Sequence, residues 1–360
     1  MLTAMRRATR MFPLLLTLAL GGCALPGYYA QAVNGELSLL SARVPIRRLL
    51  ASPETPAALK TRLQLAAEIR RYASAQLGLP RNGSYMSYVA LDRPYVSWDV
   101  FATRPFSLQP LTWCFVIAGC VPYRGYFRQA AAEAFAAKLR AQGDDVHIGG
   151  VPAFSTLGWF DDPLLSSMLG WGDTTLANFI FHELAHQELY LKGDADFNES
   201  FAVTVADVGV RRWLAATGRE SELPAYATGQ RHSHMIVLLV DTARGQLAEL
   251  YASGESPAVM AERKQQIFAQ LRQSYTVLRP QLGTDTGYDR FFRGPLNNAS
   301  LLTVTTYTRW VPAFRALLAQ QGGDLPDFYA AVKRLMRLPT IERDAALQKL
   351  MVKSAGVAVQ

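Results

Sequence analysis

The stretch that most constrains this chain is His182-Glu183-Leu184-Ala185-His186. The apolar run before it, Leu176-Ala177-Asn178-Phe179-Ile180-Phe181, and Leu184, Ala185 and Leu189 within and after it suit a buried helix. Residues four apart share one face of a helix, so both imidazoles can reach one cation while Glu183 points beside them. Neutral imidazoles bind Zn2+ well, and an adjacent carboxylate can take a proton from water activated by that metal. The ordinary alternative is two unrelated histidines at this spacing. With 5 histidines in 360 residues, such a match arises by chance on the order of a few times in a thousand. Metal binding is the reading that follows.

Two histidines leave a third protein ligand to find, with an open position if the site is catalytic. The metzincin continuation H-E-x-x-H-x-x-G-x-x-H is excluded, because Leu189 and Lys192 occupy its glycine and last histidine positions. A thermolysin-like arrangement takes a glutamate from a second helix after a turn. Lys192-Gly193-Asp194-Ala195-Asp196 suits the turn, and Phe197-Asn198-Glu199-Ser200-Phe201-Ala202 opens the next helix. Glu199 is the preferred ligand. Glu188, Asp194 and Asp196 compete with it, although Glu188 points away from the histidines and the aspartates can cap the second helix. A helix-start carboxylate favoured by the helix dipole is the alternative for Glu199 itself.

Half of the composition is hydrophobic and 18% is charged, which excludes disorder over most of the length. The formal charge of +8 falls to +5 once Arg6, Arg7 and Arg10 leave with an N-terminal leader. The remaining basic residues are scattered, so a nucleic-acid role has no support. Residues 1–22 read as a signal peptide: arginines, then a short apolar core from Phe12 to Leu20, then small residues. Leu20-Gly21-Gly22-Cys23 resembles the lipobox of bacterial lipoproteins, which implies lipidation of Cys23; an ordinary cleavable signal is the alternative. Ala24 after Cys23, in place of aspartate, implies by the same resemblance an outer-membrane anchor with the body facing the periplasm. In that oxidising compartment Cys114 and Cys120 are expected to close a small disulfide loop. Two buried free thiols are the alternative, because the residues between them are apolar.

The remaining pattern predicts an α+β fold. Helices are expected at 35–50 and 59–77, strands at 88–91, 95–101 and 113–117, then a helix at 126–141 and strands at 146–148 and 153–160. Beyond residue 170 the expectation is helical: 174–191, 198–216, 231–252, 257–280, 299–320, 325–337 and 340–352. The division expected is a leader at 1–22, a small mixed β-sheet lobe with helices at 23–170, and a mainly α-helical lobe at 171–360 with the motif helix at the join.

Asn198-Glu199 opening a helix after H-E-x-x-H resembles the gluzincin metallopeptidases. Longer stretches are similar to one branch, the zinc-dependent aminopeptidase lipoproteins of Gram-negative bacteria. They are the lipobox with Tyr28-Tyr29-Ala30-Gln31, residues 119–127 from Gly119-Cys120-Val121-Pro122-Tyr123 to Phe127, residues 154–164 from Phe154 to Leu164, and Asn297-Asn298-Ala299 with Tyr307. Twelve residues separate His186 from Glu199, fewer than in the broader gluzincin pattern. The resemblance implies a zincin-like active-site helix, Zn2+ on His182, His186 and Glu199, Glu183 as general base, and a peptide substrate. It also implies a substrate-holding edge strand at 153–164, with Gly158 and Trp159 against the peptide; an ordinary core strand is the alternative. For the oxyanion donor it points to Tyr307 ahead of His232 and His234. An aminopeptidase further needs an acidic partner for the free amine, for which Asp161, Asp162 and Glu188 are available. The competing function is a lipid-anchored envelope binding or assembly protein with a degenerate or structural zinc site.

Overall fold

Proline breaks and apolar spacing divide the chain, and the computed structural model describes residues 24–115, 119–153, 155–283, 287–304 and 309–357. The leader 1–22, Cys23, Phe154 and Tyr307 lie outside the described residues. The first part runs α1 (Ala24–Ser41), β1 (Val44–Pro45), α2 (Ile46–Ala51), α3 (Ala57–Gln76), β2 (Ser87–Val89) and β3 (Ser97–Thr103). It continues with β4 (Trp113–Phe115), β5 (Gly119–Val121), β6 (Arg124–Tyr126), α4 (Gln129–Ala141), β7 (Asp145–Val151) and β8 (Leu164–Leu165). Helices follow: α5 (Asp173–Glu188), α6 (Ala195–Ala216), α7 (Leu223–Ala252), α8 (Pro257–Leu278) and α9 (Tyr288–Arg293). The last are α10 (Asn298–Leu301), α11 (Val311–Gln320), α12 (Leu325–Met336) and α13 (Thr340–Val357). This is an α+β fold with small sheets and a mostly helical body.

The strands form three small groups. β1-β2-β8 pairs antiparallel and then parallel, β6-β3-β7 is antiparallel throughout, and β4-β5 is a hairpin. Cys114 stands directly opposite Cys120 in that hairpin, and a disulfide joins them. Several sequence expectations change. The helix expected at 35–50 is two helices, because Pro45 has an extended backbone and pairs within β1. The strands expected at 88–91 and 95–101 belong to different sheets. The helix expected at 299–320 is represented by α10 and α11, with Pro312 in the first turn of α11, where its missing N–H costs nothing. Helix α7 starts at Leu223, earlier than residue 231, again with a proline in its first turn.

The motif helix α5 is the centre of the main core. Leu176, Ala177, Ile180, Phe181, Leu184 and Ala185 on it are fully buried. They share one cluster with Leu63 and Ile69 of α3, Val89 of β2, Phe201 and Trp213 of α6, and Phe314 and Phe328 of α11 and α12. This core therefore draws on residues from both sides of position 170. A second cluster joins α7 and α8 through Ile236, Phe268 and Tyr275, and a third lays α4 on β3 through Ala132, Ala136, Trp98 and Val100.

One glycine permits the closest approach in the main core. A Cβ at Gly209 of α6 would lie 2.8 Å from both Leu77 and Phe181, each fully buried. Gly209→Ala gains up to about 1 kcal/mol of helix propensity but overpacks immobile side chains at about 1–3 kcal/mol. The expected result is a lower Tm in thermal unfolding; an unchanged or higher Tm would show that α5 and α6 can separate freely there.

Candidate metal centre

α5 carries His182 and His186 one turn apart, and their Nε2 atoms lie 3.0 Å from each other. Its first turn is held by Asp173, which accepts from Arg62 at 2.5 Å and from Arg219 at 3.0 Å. The chain then reverses within a few residues, and Asn198 fixes how. Its side chain, 2% exposed, accepts from the Leu191 N–H at 2.7 Å and donates to the Leu191 carbonyl at 2.8 Å. Asp194 caps α6 by accepting from the Phe197 N–H at 3.0 Å, and it pairs with buried Arg343 at 2.6 Å. α6 is thereby folded back on α5.

This brings Glu199 to the histidines. Its Oε2 is 3.2 Å from His182 Nε2 and its Oε1 is 3.3 Å from His186 Nε2. Among the described residues these three form the one group whose donor atoms could hold a metal ion, all within 4.8 Å of one another. Two of the competing carboxylates are engaged elsewhere, Glu188 with Lys333 at 2.9 Å and Asp194 as the cap, and Asp196 is not in the group. Two imidazoles and one carboxylate, with no fourth ligand in the group, match the donor set of a catalytic zinc site with one position open. The charge distribution agrees. Burial alone would raise the Glu199 carboxyl, but hydrogen bonds from His182 and His186 hold it far below the usual carboxylate range. Burial would lower His182, yet Glu199 and Glu183 keep it raised. Burial pushes Glu183 up, and the two imidazoles pull it back only in part.

The wall facing Glu183 comes from far upstream. Arg70, 3% exposed, donates to the carbonyls of Ser84, Pro80 and Asn82, which shapes the approach to Tyr85. Tyr85 has a left-handed backbone, φ +62°, uncommon for an aromatic residue, and its N–H donates to the Asp162 carbonyl at 2.7 Å. Its buried phenol is pushed well above its ordinary pKa by burial first and then by the Glu183 charge. Ser155 lies in the same corner, donating to Asp162 at 3.2 Å and easing the charge on Glu183.

Of the strand expected at 153–160, the described residues form none. Asp162, 2% exposed, accepts from the Thr156 N–H at 3.0 Å and the Thr156 hydroxyl at 2.8 Å, which ties residues 155–162 into a loop. Leu157 and Gly158 have successive positive φ values of 55° and 82°, incompatible with a strand. Gly158 sits against Gln187, whose Cγ lies 3.4 Å from where its Cβ would be, and Trp159 is 76% exposed. Two sheet-edge strands flank this loop, β7 ending at Val151 and β8 beginning at Leu164. Tyr190 packs edge-on to His186 at 6.3 Å, and Tyr123 reaches from the β5–β6 turn. His232 and His234 lie on α7. Tyr85 carries no local motif; Ser155 and Asp162 lie in a stretch that carries the family resemblance, but nothing local to it says that they arrive beside Glu183. Asn198 had a signal: an amide in the first turn of a helix, directly before the ligand.

A family model whose description reads "Putative aminopeptidase" matches residues 27–347. No curated protein and no solved structure matches the chain.

Asn198→Ala removes both hydrogen bonds to Leu191 and leaves its peptide groups unpaired, a loss of about 2–3 kcal/mol. Because the same clamp sets Glu199, zinc affinity should fall roughly tenfold or more. Thermal unfolding and competition with a chromogenic chelator measure the two effects. Unchanged zinc affinity with a lowered Tm would show that Glu199 is positioned by packing alone.

Proposed function

We propose, for a chain that belongs to this aminopeptidase family, that it is a zinc-dependent peptidase. The observation that carries the reading is the convergence of His182, His186 and Glu199 beside Glu183 on one buried helix pair. A bound Zn2+ would supply Lewis acidity, polarising the peptide carbonyl and making a water acidic near neutral pH. His182, His186 and Glu199 would hold it. Glu183 takes the proton from the attacking water and delivers it to the departing amine nitrogen. Ser155 and the buried Tyr85 phenol share the corner of the Glu183 carboxylate. Structural zinc sites fill four protein positions, and three here favour catalysis over a purely structural role. Tyr307 remains the proposed oxyanion donor, and Gly158 and Trp159 the proposed contacts for the peptide.

The location is part of the same proposal. Among the described residues no helix is long and apolar enough to cross a membrane. A lipid on Cys23 would tether the body just before α1, placing the peptidase at the outer membrane facing the periplasm.

Glu183→Gln should keep one zinc per chain by elemental analysis while peptide hydrolysis falls about 10²- to 10⁴-fold. Full activity in that variant would end the mechanism. Stripping the metal with a chelator should abolish cleavage and lower the Tm, because a ligand bound only to the folded state stabilises it, and added Zn2+ should restore both. Cleavage that survives complete metal removal would rule out zinc catalysis.

A further inference from the structure

A cavity of about 770 Å³ is enclosed by the α1–β1–α2 segment, α3 and the stretch that leads into β2. Its size falls within the ~300–1,000 Å³ of small-molecule sites. None of His182, Glu183, His186 and Glu199 lines it.

Two kinds of surface meet there. Ile46 and Leu50 of α2, Ala67 of α3 and Met86 are apolar. Arg43, Arg47 and Arg71 bring three guanidinium groups, against the single carboxylate of Asp161. That carboxylate already accepts from the Gly83 N–H at 2.9 Å. Arg43 is anchored by donating to the carbonyls of Leu40 at 3.0 Å and Asp161 at 2.9 Å. Arg47 and Arg71 are exposed, and among the described residues neither has a hydrogen bond or an ion pair. An adjoining cavity of about 490 Å³ shares Arg71, Asn82 and Met86, and it adds Arg81 with no acidic residue on its wall. Cations clustered beside a low-dielectric apolar wall raise the local concentration of anions. A guanidinium also presents paired donors that match a carboxylate or a phosphate.

The walls are fixed before any ligand arrives. Asn82 donates to Gln187 Oε1 at 2.7 Å, which ties the cavity to α5. Behind it, buried Arg70 holds the carbonyls of Pro80, Asn82 and Ser84. A Cβ on Gly83 would fall 2.4 Å from Asp161 Oδ2, so the wall closes there because residue 83 lacks a side chain. A preformed site spares a ligand the cost of ordering the protein around it.

We propose that this cavity binds an amphiphilic anion. Its carboxylate or phosphate head lies on Arg43, Arg47 and Arg71, and its alkyl chain lies on Ile46, Leu50, Ala67 and Met86. Both parts are needed, because the cationic and apolar surfaces line one space. The site is separate from the peptide-cleaving step and stands whether or not the chain is a peptidase.

Calorimetric titration of the purified protein tests this with four probes, each below its micelle-forming concentration: octanoate, octyl phosphate, octan-1-ol and inorganic phosphate. At least one of the two amphiphilic anions should bind at one site per chain. The alcohol, which lacks the charge, and phosphate, which lacks the chain, should each bind about tenfold or more weakly. Whichever of octanoate and octyl phosphate binds more tightly identifies the head group. Arg47→Gln/Arg71→Gln should weaken that binding by about tenfold or more with the Tm unchanged, because both side chains are exposed. Absence of binding by both anions, equal binding of the alcohol, or binding undiminished in the double variant would each overturn the assignment. The comparison of anion with alcohol uses the wild-type protein, so a folding defect in the variant cannot hide the answer.

Discussion

Three donor atoms can gather around one cation only if two helices are held at a fixed distance and register. Here that condition is met by burial on one side and by one amide on the other. The apolar residues of α5 are sealed against α3 and α6, with Gly209 allowing the close contact. Asn198 then fixes the reversal between the helices by bonding both peptide groups of Leu191. Rotation of α5 would expose Phe181 and Leu184, and release of the clamp would free Glu199. The gathering of the three donor side chains is therefore a consequence of core packing, inseparable from the stability of the fold.

The same packing creates the chemistry around Glu183. A carboxylate placed between two imidazoles is held partly by their charge, while burial works against its ionised form. Tyr85 and Ser155 close this corner, and the left-handed backbone at Tyr85 is maintained by its bond to Asp162. Asp162 in turn ties the loop that supplies Ser155. One buried carboxylate thus organises both the strained tyrosine and the hydroxyl next to Glu183. Strain of this kind persists only where surrounding bonds over-determine it, and it collects at functional sites.

The small β6-β3-β7 sheet forms a separate layer with its own core. One of its faces packs on α4, and the opposite face carries Asp99, Phe101 and the covering Tyr123.

By itself the sequence determined the pair of histidines one turn apart, the class of fold, and most helices beyond residue 170. These depend on short-range periodicity and on side chains one turn apart, which local chemistry encodes directly. Glu199 was within reach for the same reason: it follows the motif by one turn and one helix start. The loop at 155–162 was not, because Leu157, Trp159 and Phe160 there suggest a strand until the side chain of Asp162 is seen to take the hydrogen bonds a strand would need. Tyr85 beside Glu183, Asp99 between two glycines, and the placing of β2 and β3 in different sheets were decided only by tertiary structure. Each depends on segments far apart in the chain being brought together by burial of the common core, and no local pattern records which distant residue will arrive.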